Sequence, residues 1–129
     1  MSYQLDTDVS ADLLAEYART VQFVQPIVAD GLAISMITYG ELLEGIYFGR
    51  DPGSAERDFR RWLRLVRVHP LNPRIMQRFA RIRGEHRRQG TLIPDPDSII
   101  AATALNHDLT LVTRNRCQFD RVPGLKLNP

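Results

Sequence analysis

Short apolar runs alternate along this chain with longer segments whose apolar residues recur at helical spacing. Tyr3 to Asp6 reads as a first strand, and "DTDV" turns into a helix from about Val9 to Tyr17. A second apolar run follows from Val21 to Ala29, closed by the turn pair Asp30-Gly31. Leu32 to Ser35 predicts a second strand, and Met36 to Tyr47 a helix with Tyr39, Leu43, Ile46 and Tyr47 on one stripe. The segment Gly49 to Ser54 breaks the chain and caps a helix over roughly Ala55 to Leu65. Val66 to His69 predicts a brief strand. Asn72-Pro73 then opens a helix carrying Ile75, Phe79 and Ile82, with Gly90 as its C-terminal cap. Leu109 to Thr113 reads as a strand buried on both faces, and "VPGLKL" at the end as an edge strand.

One stretch, "PDPDSIIAATAL" from Pro94 to Leu105, stands apart. Asp95 suits a cap and Pro96 the first helical position, after which nearly every residue is apolar or small. A short helix that is apolar all round is a buried one. At helical spacing Asp97 shares its face with Ile100, Ala101 and Ala104, so its carboxylate points along the packed side. A charge placed there needs a partner or a metal.

Strands alternating with helices imply right-handed crossovers and an α/β fold: a mostly parallel sheet with helices on both faces. In such sheets the working crevice lies beyond the carboxyl ends of the strands. Asp6, Ser35 leading to Glu41, and Thr113 leading to Asn115 all fall at those ends, facing the start of the Asp97 helix. Acids far apart in sequence therefore meet. Mg²⁺ is commonly held by one or two carboxylates plus substrate phosphate. Asp6, Glu41 and Asp97 suit such a site, with room for a water nucleophile and a phosphodiester oxygen. Each acid also has an ordinary local role. Asp6 or Asp8 can cap the helix near Val9, Thr38 and Glu41 have capping-box spacing, and Asp95 and Asp97 can complement a helix N-terminus.

Composition narrows the chemistry. At 129 residues, 43% apolar and 25% charged, the chain suits one globular domain over residues 1–129. No apolar run approaches a membrane span, and the N-terminus lacks the pattern of a secretory signal, so the expected site of action is the cytoplasm. A lone Cys117 fits that reducing compartment. With His69, His86 and His107 scattered, zinc spacing is absent, and any metal would be bound by oxygen. The net charge is only +2, yet sixteen of the seventeen cations are Arg and eleven of those lie between Arg57 and Arg88. Their planar guanidinium forks match phosphate, although a solvated helical face is the plain alternative.

The motifs also resemble a known family. "LDTDV" at Leu5 to Val9, "ITYGELLEG" at Ile37 to Gly45, "DSIIAATAL" at Asp97 to Leu105, "LVTRN" at Leu111 to Asn115 and "FDRVPGL" at Phe119 to Leu125 occur in order. Together they resemble a PIN domain of the VapC-type toxin ribonucleases, over nearly the whole chain. The resemblance implies a PIN-like three-layer α/β/α sandwich, Mg²⁺ or Mn²⁺ dependence and endonucleolytic cleavage of RNA. It further implies a homodimer and neutralisation by a VapB-like antitoxin whose tail occupies the toxin groove. Carried over by motif, Asp6 and Asp97 are metal ligands and Glu41 a further catalytic acid, while Thr113 and Asn115 match polar residues after the last buried strand. Two departures stand out: Asp8 where the family often has Asn, and Gln118 where many members carry a fourth acid. The second bears on whether one ion or two is bound.

The function expected is thus an endoribonuclease toxin of a toxin–antitoxin pair. The alternative is a PIN-like module that binds RNA or antitoxin without efficient cleavage, because the fourth acid is missing. A receiver-like phosphorylated domain fits less well, since no Asp closes a central strand and Lys126 comes too late after the last one.

Overall fold

The structure, a computed structural model, describes residues 2–15 and 31–128. The expected run from Val21 to Ala29 lies outside these residues. Five strands form one parallel sheet in the order β3-β2-β1-β4-β5: β1 Tyr3–Leu5, β2 Leu32–Ser35, β3 Arg67–His69, β4 Thr110–Val112 and β5 Lys126–Leu127. Six helices accompany them among the described residues: α1 Thr7–Ala15, α2 Met36–Tyr47, α3 Pro52–Trp62, α4 Pro73–Gln89, α5 Asp95–Asn106 and the short α6 Arg116–Phe119. None is long and apolar enough to cross a membrane.

The sheet is covered on both faces, and strand alternation sorts the side chains between them. Leu5, Leu32 and Ile34 join Leu42 and Ile46 of α2, and Phe59 and Trp62 of α3, in the larger core. Each such fully buried side chain contributes roughly 1.5–3 kcal/mol relative to exposure. On the opposite face Ile100, Ala101, Leu111, Phe119 and Val122 form a second cluster. Ala33 alternates with Leu32 and Ile34, and meets Ala104 and Leu109 on this side. Small residues on both partners let α5 lie close to the sheet. Buried Gln4 faces the same way and donates from Nε2 to the Ile100 carbonyl at 2.9 Å.

Helix ends explain where expectation and structure differ. α2 is capped by Ser35, whose Oγ accepts from the Ile37 N–H at 3.2 Å, so Thr38 and Glu41 do not form a capping box. The buried face of α2 is Thr38, Leu42 and Ile46, leaving Tyr47 exposed. α3 starts three residues earlier than expected because Asp51 caps it, accepting from Ser54 N–H at 3.2 Å, with Pro52 at the first position. At α5 the N-cap is Pro94, not Asp95; the Asp95 carboxylate instead takes Arg83 Nε at 2.7 Å. Gly90 closes α4 in the left-handed conformation, as expected (φ 72°).

The strand order places the site. From β1 the chain moves outward through β2 to β3, then returns across the sheet to add β4 on the other flank of β1. The direction of travel reverses between β1 and β4. That junction is where an open α/β sheet leaves a crevice at its carboxyl edge.

Candidate functional site

Asp6 follows directly on β1, in this crevice, and is 6% exposed. A carboxylate that buried requires donors. Its Oδ1 accepts from the Thr7 N–H at 2.7 Å and its Oδ2 from Thr113 Oγ1 at 2.7 Å. Thr113, just past β4, in turn accepts from the Asn115 N–H at 3.0 Å. The two strands flanking the reversal are thereby tied at their ends, and among the described residues each Asp6 oxygen keeps a lone pair unused.

Thr7 does more than hold Asp6. Its hydroxyl donates to Glu41 Oε1 at 2.7 Å and lies 3.0 Å from the Oγ1 of buried Thr38. Since Thr7 spends its proton on Glu41, Thr38 is the donor to Thr7. Glu41 stands on the exposed side of α2, held at the mouth of the crevice. Nothing in the sequence pattern marked Thr7 beyond its place in a helix start.

Asp97 enters from α5, half-buried, and its Oδ2 accepts from Gln118 Nε2. Burial raises its carboxyl pKa above the ordinary aspartate value, and the nearby Asp6 charge pushes it the same way. The Gln118 hydrogen bond opposes that rise, while Glu41 and Asp8 add smaller repulsions. The three expected acids therefore share one electrostatic neighbourhood, with exposed Asp8 at its margin. Asn115 contributes its backbone N–H; its side chain is exposed and makes no capping hydrogen bond to α6. Arg114 pairs with Asp12, and Arg116 Nη1 donates to the Asn128 carbonyl at 2.5 Å, so both are engaged at the surface.

Among the described residues, no three acidic, histidine or cysteine side chains converge closely enough to cage an ion by themselves. The donor set is nonetheless all oxygen, with a paired Asp6 and an Asp97 that resists ionisation beside it. Such a pair lacks positive charge. It suits a hard cation that keeps most of its own water and takes only one or two carboxylates from protein.

A parallel sheet reversing at β1, with acids gathered over the reversal, defines a class of protein. Residues 3–125 match the PIN domain, and the chain belongs to that family. It is similar to the ribonuclease VapC1 of Haemophilus influenzae, 27% identical over 98% of this chain and 96% of that protein. Among solved structures it resembles VapBC2 from Rickettsia felis bound to a DNA fragment from its promoter, with a TM-score of 0.90 and 23% identity. That likeness covers 99% of this chain and 98% of the other. VapBC-1 from nontypeable Haemophilus influenzae gives a TM-score of 0.80 at 25% identity, over 99% and 97% of the two chains.

Proposed function

We propose that this protein is a divalent-metal-dependent endoribonuclease, the toxin of a toxin–antitoxin pair acting in the cytoplasm. The observation that carries the reading is the pairing of buried Asp6 with an Asp97 whose ionisation is opposed by burial and by Asp6 itself. The curated relatives named ribonuclease VapC support the chemistry. Asp6 and Asp97 would hold Mg²⁺ or Mn²⁺. When bound, the ion supplies Lewis-acid stabilisation of charge growing on the phosphate and acidifies a water.

The remaining work falls to side chains of this chain. Glu41, fixed by Thr7, orients the attacking water in line with the scissile bond and accepts its proton. The water oxygen bonds to phosphorus as the bond from phosphorus to the ribose oxygen breaks, and the departing oxygen takes a proton from solvent to leave as a hydroxyl. Thr113 holds Asp6 in a single orientation through the reaction, and Asn115 anchors Thr113 through its N–H. Asp8 adds negative charge at the margin of the site.

Solved VapBC assemblies with this fold support a VapB-like antitoxin as partner, and the working unit proposed with it is a homodimer. A largely apolar groove of about 470 Å³ opens beside Glu41, lined by Ala11, Leu14, Leu42 and Ile46, and fits an inhibitory segment. Tyr47 and Phe48, the latter 88% exposed, are candidates for the contact between copies.

The test is Asp97→Asn. Cleavage of RNA under a Mg²⁺ titration falls by about 10²-fold or more, the usual scale for loss of a group acting directly in the transition state. Folding survives. A carboxyl with raised pKa binds its proton more tightly folded than unfolded, so its ionisation above the ordinary aspartate range costs stability. Removing that charge spares the fold at neutral pH, which a thermal melt reads. Undiminished cleavage by this variant would defeat the assignment. A second reading is favoured by Gln118, which places an amide rather than a carboxylate on Asp97: a module that binds RNA or antitoxin and cleaves poorly. Wild-type protein that binds RNA but leaves it intact across the same titration establishes that alternative.

A further inference from the structure

The eleven arginines between Arg57 and Arg88 are the one sequence feature the nuclease site does not use, and the fold separates them into distinct sets. Arg60 lies 3.8 Å from Glu56, Arg83 pairs with Asp95, and Arg88 pairs with Glu85. Arg57, Arg61, Arg64, Arg67 and Arg87 form no ion pair among the described residues either, and what sets Arg74, Arg78 and Arg81 apart is the one cavity they share. All three are exposed on α4, and among the described residues none forms an ion pair. At 3.6 residues per turn they fall within about 60° of arc, and their span covers roughly 10 Å of helix. With Gln77 and Asn106 they line a single cavity of about 400 Å³.

Three like charges held side by side repel one another and contribute no fold stability. Asn106 ends α5, whose C-terminus carries a partial negative charge of roughly half an electron. One guanidinium matches that; three leave an excess. Asn106 is also nine residues from Asp97 along α5, so the cavity lies roughly 13 Å down the helix from the acidic site. That separation is too great for contact with a scissile phosphate and short enough for the same polynucleotide to reach both.

We propose that Arg74, Arg78 and Arg81 form a second contact site for the RNA phosphate backbone, outside the catalytic crevice. Guanidinium forks take phosphate oxygens bidentately, and Gln77 and Asn106 add amide donors beside them. Contacts of this kind carry no base information; they fix register and supply salt-dependent affinity. The site rests on the nuclease reading for its ligand, and it makes grip on a substrate depend on length. A dinucleotide has its one phosphate at the acids and meets only them, whereas a longer strand also meets the arginines.

The experiment separates this site from catalysis by measuring binding without cleavage. Fluorescence anisotropy with a single-stranded RNA of about 20 nucleotides in EDTA is recorded from low to moderate salt, for wild type and for R74Q/R78Q/R81Q. The variant is expected to bind at least tenfold more weakly at low salt, with the slope of log affinity against log salt shallower by about 2. The triple Lys variant restores most of the slope, because it keeps the charges; a shared fold defect would not be rescued this way. Under Mg²⁺, KM for the long RNA rises in the Gln variant while cleavage of a dinucleotide, whose one phosphate sits at the acids, is unchanged. An unchanged salt slope in the Gln variant overturns the proposal. So does a loss confined to an acidic peptide with RNA binding intact, which would assign the arginines to a protein partner. If wild type binds with the expected slope yet never cleaves, the arginine site stands and the nuclease reading falls.

Discussion

Thr7 shows how much of a site can rest on one small side chain. Its N–H holds Asp6 and its hydroxyl holds Glu41, so a single residue sets the spacing of two acids that lie 35 positions apart in sequence. Thr7→Val keeps the shape and the N–H but removes the hydroxyl. It is expected to lower kcat about 10–100-fold with little change in KM, the scale seen when a group supporting metal-site residues is lost. Thr7→Ser should recover most of the rate in the same steady-state assay, and equal loss in both variants would point to a structural defect. The acids themselves were legible in the sequence, because a carboxylate on an otherwise apolar helix or at the close of a buried strand is costly unless something pairs with it. Thr7 was not, and Gln118 was marked only as standing where a fourth acid is missing, without its contact to Asp97. Which hydroxyl or amide turns towards a carboxylate depends on side-chain directions that the spacing of letters does not encode.

Among the elements, α5 carries the heaviest constraint. Ile100, Ala101, Ala102 and Ala104 are fully buried, and Ala104 meets Ala33 of β2. This close approach sets Asp97 over the end of β1. Ala101→Leu adds three carbons where no space exists. It should destabilise the fold by about 1–3 kcal/mol, read as a lower urea midpoint with unchanged slope. The burial of this helix was visible from its uninterrupted run of small and apolar residues, as were the limits of β2 and α2. The capping contacts were harder to see. Asp51 and Pro52 sit in a segment of loop-like composition yet start α3, and the spacing of Thr38 and Glu41 suggested a cap that Ser35 provides. Capping motifs are short, and chance copies of them are frequent in any polar segment.

For the molecule as a whole, the parallel sheet followed from alternating strands and helices, but its order did not, since nothing local states on which flank of β1 a later strand will add. The remote end of that sheet holds a pH dependence. His69, at the close of β3, stacks on His107 with ring centroids 3.7 Å apart and planes 15° from parallel. Burial, then the neighbouring His107 and Arg67, lower its pKa from 6.5 to about 4. A depressed imidazole binds its proton less tightly folded than unfolded, so the stability present at neutral pH is lost as pH falls from about 6.5 towards 4. Urea midpoints measured across that window should decline in wild type and decline less in His69→Gln; equal slopes would show that the stack plays no part.

The hydrogen bond between Asp6 and Thr113 joins residues 107 positions apart. β1 therefore depends on a strand far along the sequence for one of the two donors that hold its terminal carboxylate. A truncated polypeptide that stops short of β4 has Asp6 and Glu41 but neither the neighbouring strand nor Thr113. Its first carboxylate then lacks the hydroxyl that orients it, so the acidic site is a property of the completed sheet and of no single segment.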